Sequence, residues 1–288
     1  MPRSMTGTLY IVATPIGNLE DISQRALRTL REVDLVACED TRRTRVLLNH
    51  FGIKTKTISY HEHNERARAE QLCNEILRGR NVALVSDAGT PLISDPGFRI
   101  VQAATKRDIP VVPIPGATAL VAALVASGLP SDQFLFAGFL PARANARRAR
   151  LEELCPVSAT LVFYEAPHRI AATLKAALEV LGNRRSAVAR ELTKLHEEIV
   201  RGSLSELTKR FSGATTARGE IVLIISGAAD ELTGGAETSP GDLVARVNEL
   251  EGSGLDARTA LKQAARELGM KRAEAYRLLV AQKNRRSK

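Results

Sequence analysis

The chain has no tryptophan, and aromatic residues make up only 4% of its 288 positions. Its interior must therefore be filled by leucine, valine, isoleucine and alanine. Cysteine is scarce too: Cys38, Cys73 and Cys155 are odd in number and far apart. They form no CxxC pair and have no histidine cluster beside them, so neither a zinc site nor a disulfide framework is supported. Such a set suits a reducing cytosol. The longest candidate apolar run, residues 119–126, falls far short of the roughly 18 residues of a membrane span. The first residues, MPRSMTGTLYIV, lack the apolar region of a secretory signal. The expectation is a cytoplasmic protein with no membrane attachment.

Missing motifs exclude further classes. No GxGxxG follows the first predicted strand and there is no GxxxxGK[ST], so dinucleotide and P-loop readings are unsupported. GxSxG and HExxH are absent, which removes most support for hydrolase and zinc-enzyme readings. His61 and His63, with Asn64 and Glu65, form a polar island without a third ligand at zinc spacing, so no metal is expected.

What is present is positive charge. Lys and Arg number 41 against 32 Asp and Glu, a formal net charge of +9. That excess favours polyanionic partners, nucleic acid first. Hydrophobic residues at 44% and charged residues at 25% are ordinary for a globular protein, and the length suits two domains.

The pattern along the chain alternates strands and helices. Apolar β-prone runs at 7–13, 34–38, 81–86 and 109–114 are separated by helical periodicity at 21–31, 67–77 and 98–106, and a helix over 119–127 follows. This predicts an α/β sheet with parallel pairs. A second block has strand candidates at 134–139, 160–164, 186–190 and 220–225. Its helices are expected at 144–154, 170–181 and 204–210. The expected organisation is an N-terminal α/β domain over 1–127, a second α/β domain over 128–228 and a linker over 229–240. A basic helical extension over 241–288 follows, in which helix, Gly-containing turn and helix suggest a helix-turn-helix. Leu261, Ala264, Ala265 and Leu268 form its apolar stripe. It holds eleven Lys/Arg and six Asp/Glu, so +5 of the total charge.

Ligands of parallel sheets collect at the carboxyl ends of the strands. Three loops lie there: Thr14-Pro15-Ile16-Gly17-Asn18, residues 87–97 and residues 115–118. Glycine and proline let a backbone approach a ligand closely in fixed shapes. Asp87 and Asp95 add carboxylates able to hold a ribose diol or an amino group. Each loop taken alone also reads as an ordinary tight turn. Two more polar clusters follow strands, at 163–169 (FYEAPHR) and 190–194 (RELTK). Both read equally well as surface ion pairs.

Taken in order, the segments become specific. GTLYIVATPIGNLEDISQRAL, EDTRRTRVLL, HEHNE, VALVSDAGTPLISDPG, VVPIPGATALVAALVASGLP, FLFAGFLP, FYEAPHRI and RELTKLHEE together resemble the ribosomal RNA small subunit methyltransferase I family. That family lies within the tetrapyrrole-methylase-like class, and the likeness covers about residues 7–227. The resemblance implies two α/β domains with S-adenosylmethionine in the cleft between them, and a homodimer. It implies 2′-O-methylation of a cytidine ribose in the decoding region of small-subunit (16S) ribosomal RNA. The partner is that RNA or the small ribosomal subunit. Carried onto this chain, the donor contacts are Pro15, Ile16, Asp87, Ala88, Gly89, Thr90, Ser94, Asp95, Ala117, Thr118, Tyr164 and Leu192.

A ribose hydroxyl is a poor nucleophile, so a base or a cation that lowers its pKa would help. Asp40, Glu191 and Lys194 are the candidates, because each lies just past a predicted strand. As substrate contacts we expect Arg42, Arg43, Arg45, Arg147 and Arg148 on phosphates, with Arg143 and Arg150 nearby. His61, Asn64, His168 and Arg169 complete that set. Two other readings stay open: a small-molecule, tetrapyrrole-like methyltransferase, and a nucleic-acid-binding protein without catalysis.

Overall fold

The computed structural model describes residues 6–212, 219–228, 240–252, 255–267, 275 and 279. Five short strands build the first sheet: β1 (Leu9–Val12), β2 (Leu35–Cys38), β3 (Thr57–Ser59), β4 (Val82–Val85) and β5 (Val111–Ile114). Their order is β3-β2-β4-β1-β5 and every pair is parallel. β4 is apolar and buried at every position, as a strand covered on both faces must be. Helices α1 (Gln24–Glu32) and α2 (Thr41–His50) cover one face through Ala26, Leu27, Leu30 and Leu48. Helices α3 (Glu65–Leu77) and α4 (Phe98–Thr105) cover the other through Leu72, Cys73, Ile76 and Ile100.

Helix α5 (Ala119–Ser127) leaves this sheet. It buries Leu120, Ala123 and Leu124 against Val162, Ala187, Ala189, Val222 and Ile224 of the second sheet, and ends at Gly128 with φ +75°, the usual left-handed stop. The expected domain boundary at 127/128 thus falls at the end of a helix that already lies on the second domain.

The second sheet contains β6 (Phe134–Phe139), β7 (Thr160–Glu165), β8 (Arg185–Arg190), β9 (Glu198–Ser203) and β10 (Ile221–Ile225). The order is β6-β7-β10-β8-β9, with β6 and β7 parallel and the remaining pairs antiparallel. Helices α6 (Ala144–Leu154), α7 (Ile170–Leu181) and α8 (Leu204–Phe211) close its other face around Leu151, Phe163, Leu174, Leu207 and Leu223. Ser203 and Glu206 start α8 with a reciprocal capping box.

Helices α9 (Pro240–Gly252) and α10 (Ala257–Glu267) follow. Leu243, Val247 and Leu250 meet Ala260, Leu261, Ala264 and Ala265 in a separate small core. The stripe expected from sequence therefore serves these helices themselves. Pro240 opens α9, while the rest of the linker, Leu268, and most of the expected final helix lie outside the described residues.

Three elements escaped the sequence pattern. α2 begins Thr-Arg-Arg-Thr-Arg and buries only Thr44 and Leu48, so its apolar period is weak. β3 has three residues, and β9 is half-exposed along most of its length. Both are edge strands. The helix expected over 21–31 starts later, because Asn18 and Ser23 cap two separate turns in succession. Among the described residues no helix is long and apolar enough to cross a membrane.

Candidate active site

The carboxyl ends of β1, β4 and β5 are tied into one surface. Thr14 and Gly89 exchange backbone hydrogen bonds of 2.9 and 3.1 Å, and the Thr14 hydroxyl donates to the Ser86 carbonyl at 3.2 Å. The Thr90 hydroxyl reaches the Ala117 carbonyl at 3.2 Å and pairs with the Thr118 hydroxyl. Two glycines make this closeness feasible. Gly89 has φ +82°, and a Cβ on Gly116 would lie 2.9 Å from that of Ala13. Leu92 and Ser94 take φ of +73° and +63°, a cost that surrounding structure must sustain and that collects at functional sites.

The second domain grips this surface. A Cβ on Gly17 would fall 2.4 Å from Lys194 Cγ, and the Asn18 N–H donates to Thr193 Oγ1 at 3.1 Å. Glu191 and Thr193 adopt φ of +52° and +65°. Between the two domains lies a cavity of about 440 Å³, within the range of ordinary ligand sites. Its first-domain wall contains Ile16, Glu39, Arg43, residues 87–90 and residues 93–95. Ala119, Phe139, residues 164–167 and residues 219–222 complete it.

The wall is anionic. Glu39, Asp87, Asp95 and Glu220 line it against the single guanidinium of Arg43. Asp87 is held in place by Arg43 at 3.1 Å and by the Asp40 N–H at 3.0 Å. Burial pushes the Glu39 carboxyl above its usual range, and the charges of Asp87 and Asp95 push further. Burial also raises Asp95, against a hydrogen bond from Ser86 and with help from Asp87 and Glu220. The Glu165 carboxylate is fully engaged: it accepts from the Ala166 N–H at 2.8 Å, from the Thr173 hydroxyl, and from Arg169 at 3.2 Å. Tyr164 stacks edgewise on Phe136, with ring centroids 4.9 Å apart.

Of the expected donor contacts, Ile16, Asp87, Ala88, Gly89, Thr90, Ser94, Asp95 and Tyr164 line the cavity. Ala117 and Thr118 stand behind Thr90, and Leu192 is buried beside Ile16. Pro15 is buried in the loop preceding them. Glu39, Phe139 and Glu220 were not anticipated.

The three expected catalytic groups lie outside the cavity lining and are engaged with other partners. Asp40 caps α2 and binds Arg42 through both oxygens at 3.1 and 2.8 Å. The Arg42 guanidinium and backbone hold its carboxyl down at about 2, which makes it a weak base. Glu191 accepts from Lys194 at 2.8 Å and from the Glu220 N–H at 3.2 Å. The Lys194 contact leads in holding its carboxyl low. Gly219 leaves the room it needs, since a Cβ there would lie 2.0 Å from Glu191 Oε1. Lys194 also reaches Glu220 at 3.5 Å. Its partial burial works against its charge, but Glu191 and Glu220 outweigh that and raise its pKa. Neither Glu191 nor Lys194 lines the cavity; together they brace the seam between domains.

Two of the expected substrate contacts hold partners within the protein. Arg147 is 7% exposed and donates to the Ala142 carbonyl at 3.3 Å. Arg169 holds the Leu140 carbonyl and Glu165. Arg148 is exposed but paired with Glu152 at 3.1 Å and Glu179 at 3.7 Å, and Arg150 pairs with Glu153 at 2.6 Å. Arg42, Arg43, Arg45, Arg143 and His168 are exposed. Asn64 accepts from the His61 N–H at 3.0 Å and donates to the Ser59 carbonyl at 3.3 Å, so it fixes the loop after β3. The charge of His61 acts on Glu39 across the rim. Among the described residues no group of three His, Cys, Asp or Glu side chains is placed to hold a metal.

A model of the tetrapyrrole (corrin/porphyrin) methylases matches residues 8–208. Ribosomal RNA small subunit methyltransferase I of Halalkalibacterium halodurans is 47% identical over 283 residues, covering 96% of each chain. The protein of that name from Mesorhizobium japonicum is 48% identical, covering 98% of this chain and 94% of its own. In fold, the chain is similar to a uroporphyrin-III C-methyl transferase from Thermus thermophilus solved with S-adenyl homocysteine. The TM-score is 0.54 at 20% identity, covering 78% of this chain and all of that one.

Proposed function

Because the chain belongs to the ribosomal RNA small subunit methyltransferase I family within the tetrapyrrole methylases, we propose that it methylates a ribose 2′-oxygen of small-subunit RNA. The substrate nucleotide in this reading is a cytidine of the 16S decoding region, and S-adenosylmethionine is the methyl donor. The observation that carries the reading is the anionic cavity at the carboxyl ends of a parallel sheet, where, among the described residues, Glu39 and Asp95 form no ion pair and burial raises both. A cationic ligand fits that wall, because it relieves the mutual repulsion of buried carboxylates. When bound, the donor supplies an electrophilic methyl group on a sulfonium.

The protein's part is placement and proton management. Ile16, residues 87–90, Ser94 and Asp95 would hold the donor, and Tyr164 would close on it from the second domain. Pro15, Ala117, Thr118 and Leu192 support those loops from behind. The tied loops fix the geometry that a near-attack arrangement needs. Among the described residues, Glu39 is the wall carboxylate with neither a cation nor a hydrogen-bond donor within bonding distance, so it is the group suited to accept the ribose proton. A general base of this kind contributes about 10²–10⁴-fold. The net charge of +9 draws RNA, either free or within the small subunit. The reading includes a cytoplasmic homodimer, supported by the outer face of α5, where Val121 and Val125 stay 47% and 72% exposed.

The test is transfer of labelled methyl from S-adenosylmethionine into small-subunit RNA, followed by digestion to nucleosides. Label in 2′-O-methylcytidine is the expected result. Label in a base-methylated nucleoside, or none in RNA, defeats the proposal.

A further inference from the structure

Between Thr41 and His61 the chain carries five Lys or Arg residues and no Asp or Glu. Apart from Glu39 and Asp40 at its start, this stretch holds the crossover from β2 through α2 to β3 at the outer edge of the first sheet. It begins at the cavity rim, where Arg43 forms part of the wall. Farther along, Arg45 is exposed and donates to the Thr57 hydroxyl at 3.4 Å, and among the described residues it forms no ion pair. Lys54 and Lys56 are exposed, and among the described residues neither has an acid within ion-pair distance. The backbone between them is anchored, because the Thr55 hydroxyl donates to the Leu30 carbonyl at 2.6 Å. Arg31 of α1 holds the Phe51 carbonyl at 3.4 Å and adds charge on the same side.

The other arginine-rich helix behaves differently. On α6, Arg147 is buried, and Arg148 and Arg150 are neutralised by glutamates of α6 and α7. An exposed cation without a counter-charge is free to exchange its counterions for a phosphate; one already paired gains much less.

We propose that the β2–α2–β3 edge is the docking track for the phosphate backbone flanking the target nucleotide, with Arg45, Lys54 and Lys56 as phosphate contacts. This rests on the reading of RNA as substrate. The ten residues of α2 span about 15 Å, so the track extends well beyond the one nucleotide that enters the cavity. Contacts of this kind position the RNA and read no sequence. Base recognition is left to the cavity.

The experiment compares wild type with the Arg45→Ala/Lys54→Ala/Lys56→Ala variant. Affinity for small-subunit RNA is measured across a salt series, donor affinity by calorimetry, and folding by thermal melt. Lys175→Ala, on the exposed side of α7, controls for loss of charge as such. The triple variant should lower the slope of log K against log salt by about two to three, at roughly 0.7–0.9 per phosphate. Donor affinity and melting should not change, and the control should match wild type. An Arg45→Lys/Lys54→Arg/Lys56→Arg variant, which keeps the charge, should retain the wild-type slope; losing it would show a role other than phosphate contact and would overturn the proposal. An unaltered slope in the triple variant, with methylation of RNA by wild type intact, overturns the track alone. Absence of RNA methylation by wild type overturns the functional reading on which it rests.

Discussion

The two sheets solve different problems. The first is wholly parallel, so every connecting loop after a strand opens at the same end, and the donor loops gather there. The second is mixed, and β10 runs antiparallel between β7 and β8, pairing Ile221 with both Glu165 and Arg190. Its amino end therefore lies beside the carboxyl ends of its neighbours. That is how Gly219 and Glu220, which precede a strand, join Tyr164 and Glu165, which end one. A parallel sheet makes a floor from one kind of loop; an antiparallel one makes a wall from both kinds.

The division of labour is sharpest at Glu39, on the floor. Glu39→Gln should lower kcat for RNA methylation by about 10²–10⁴-fold, and should also weaken donor binding, since one charge of the wall is gone. The acid limb of the pH profile should go with it. A variant that keeps wild-type turnover would move the proton acceptor elsewhere.

Asp87→Ala should come next in size. It removes the partner of Arg43 and of the Asp40 N–H together with one charge of the wall. Loss of charge-assisted hydrogen bonding should weaken donor binding by roughly 1.5–3 kcal/mol, read by calorimetry on a variant with an intact melt. Unchanged affinity would free Asp87 from the donor site.

Donor affinity should also depend on pH in a defined direction. Glu39 and Asp95 titrate above the usual carboxylate range. As pH falls through those raised values they take up protons, the wall loses negative charge, and the cationic donor binds less well. Stability of the free protein should move the opposite way over that window, because protonation removes buried charge. Donor affinity that rises on acidification would contradict the anionic wall.

The smallest effect on the core should come from removing residues 241–288. Helices α9 and α10 bury their apolar residues in their own cluster, so melting and donor binding should persist. RNA methylation should fall, since the segment holds +5 of the net charge. Equal losses in melting, donor affinity and activity would make the segment a structural part of the core.

These contrasts also explain what the sequence revealed. The floor was legible because parallel strands announce their carboxyl-end loops, and Asp87 and Asp95 sit in one of them. Glu39 and Asp40 are adjacent, and nothing in the local pattern says which faces the cavity. Asp40 was taken up as the cap of α2, a helix whose polar sequence hid it. Glu220 was illegible for a topological reason, since it lies before its strand. Arg147 was readable in retrospect: it stands four residues before Leu151 on α6, on the same helical face, and that face is buried.

The most direct test of the account is the structure of the protein with S-adenosylmethionine bound. The donor is predicted to lie between residues 87–95 and the Tyr164–Glu220 wall, with its sulfonium facing the carboxylates of Glu39 and Asp95. A donor bound outside this cavity, or with its cationic centre turned away from Glu39, Asp87, Asp95 and Glu220, would contradict it.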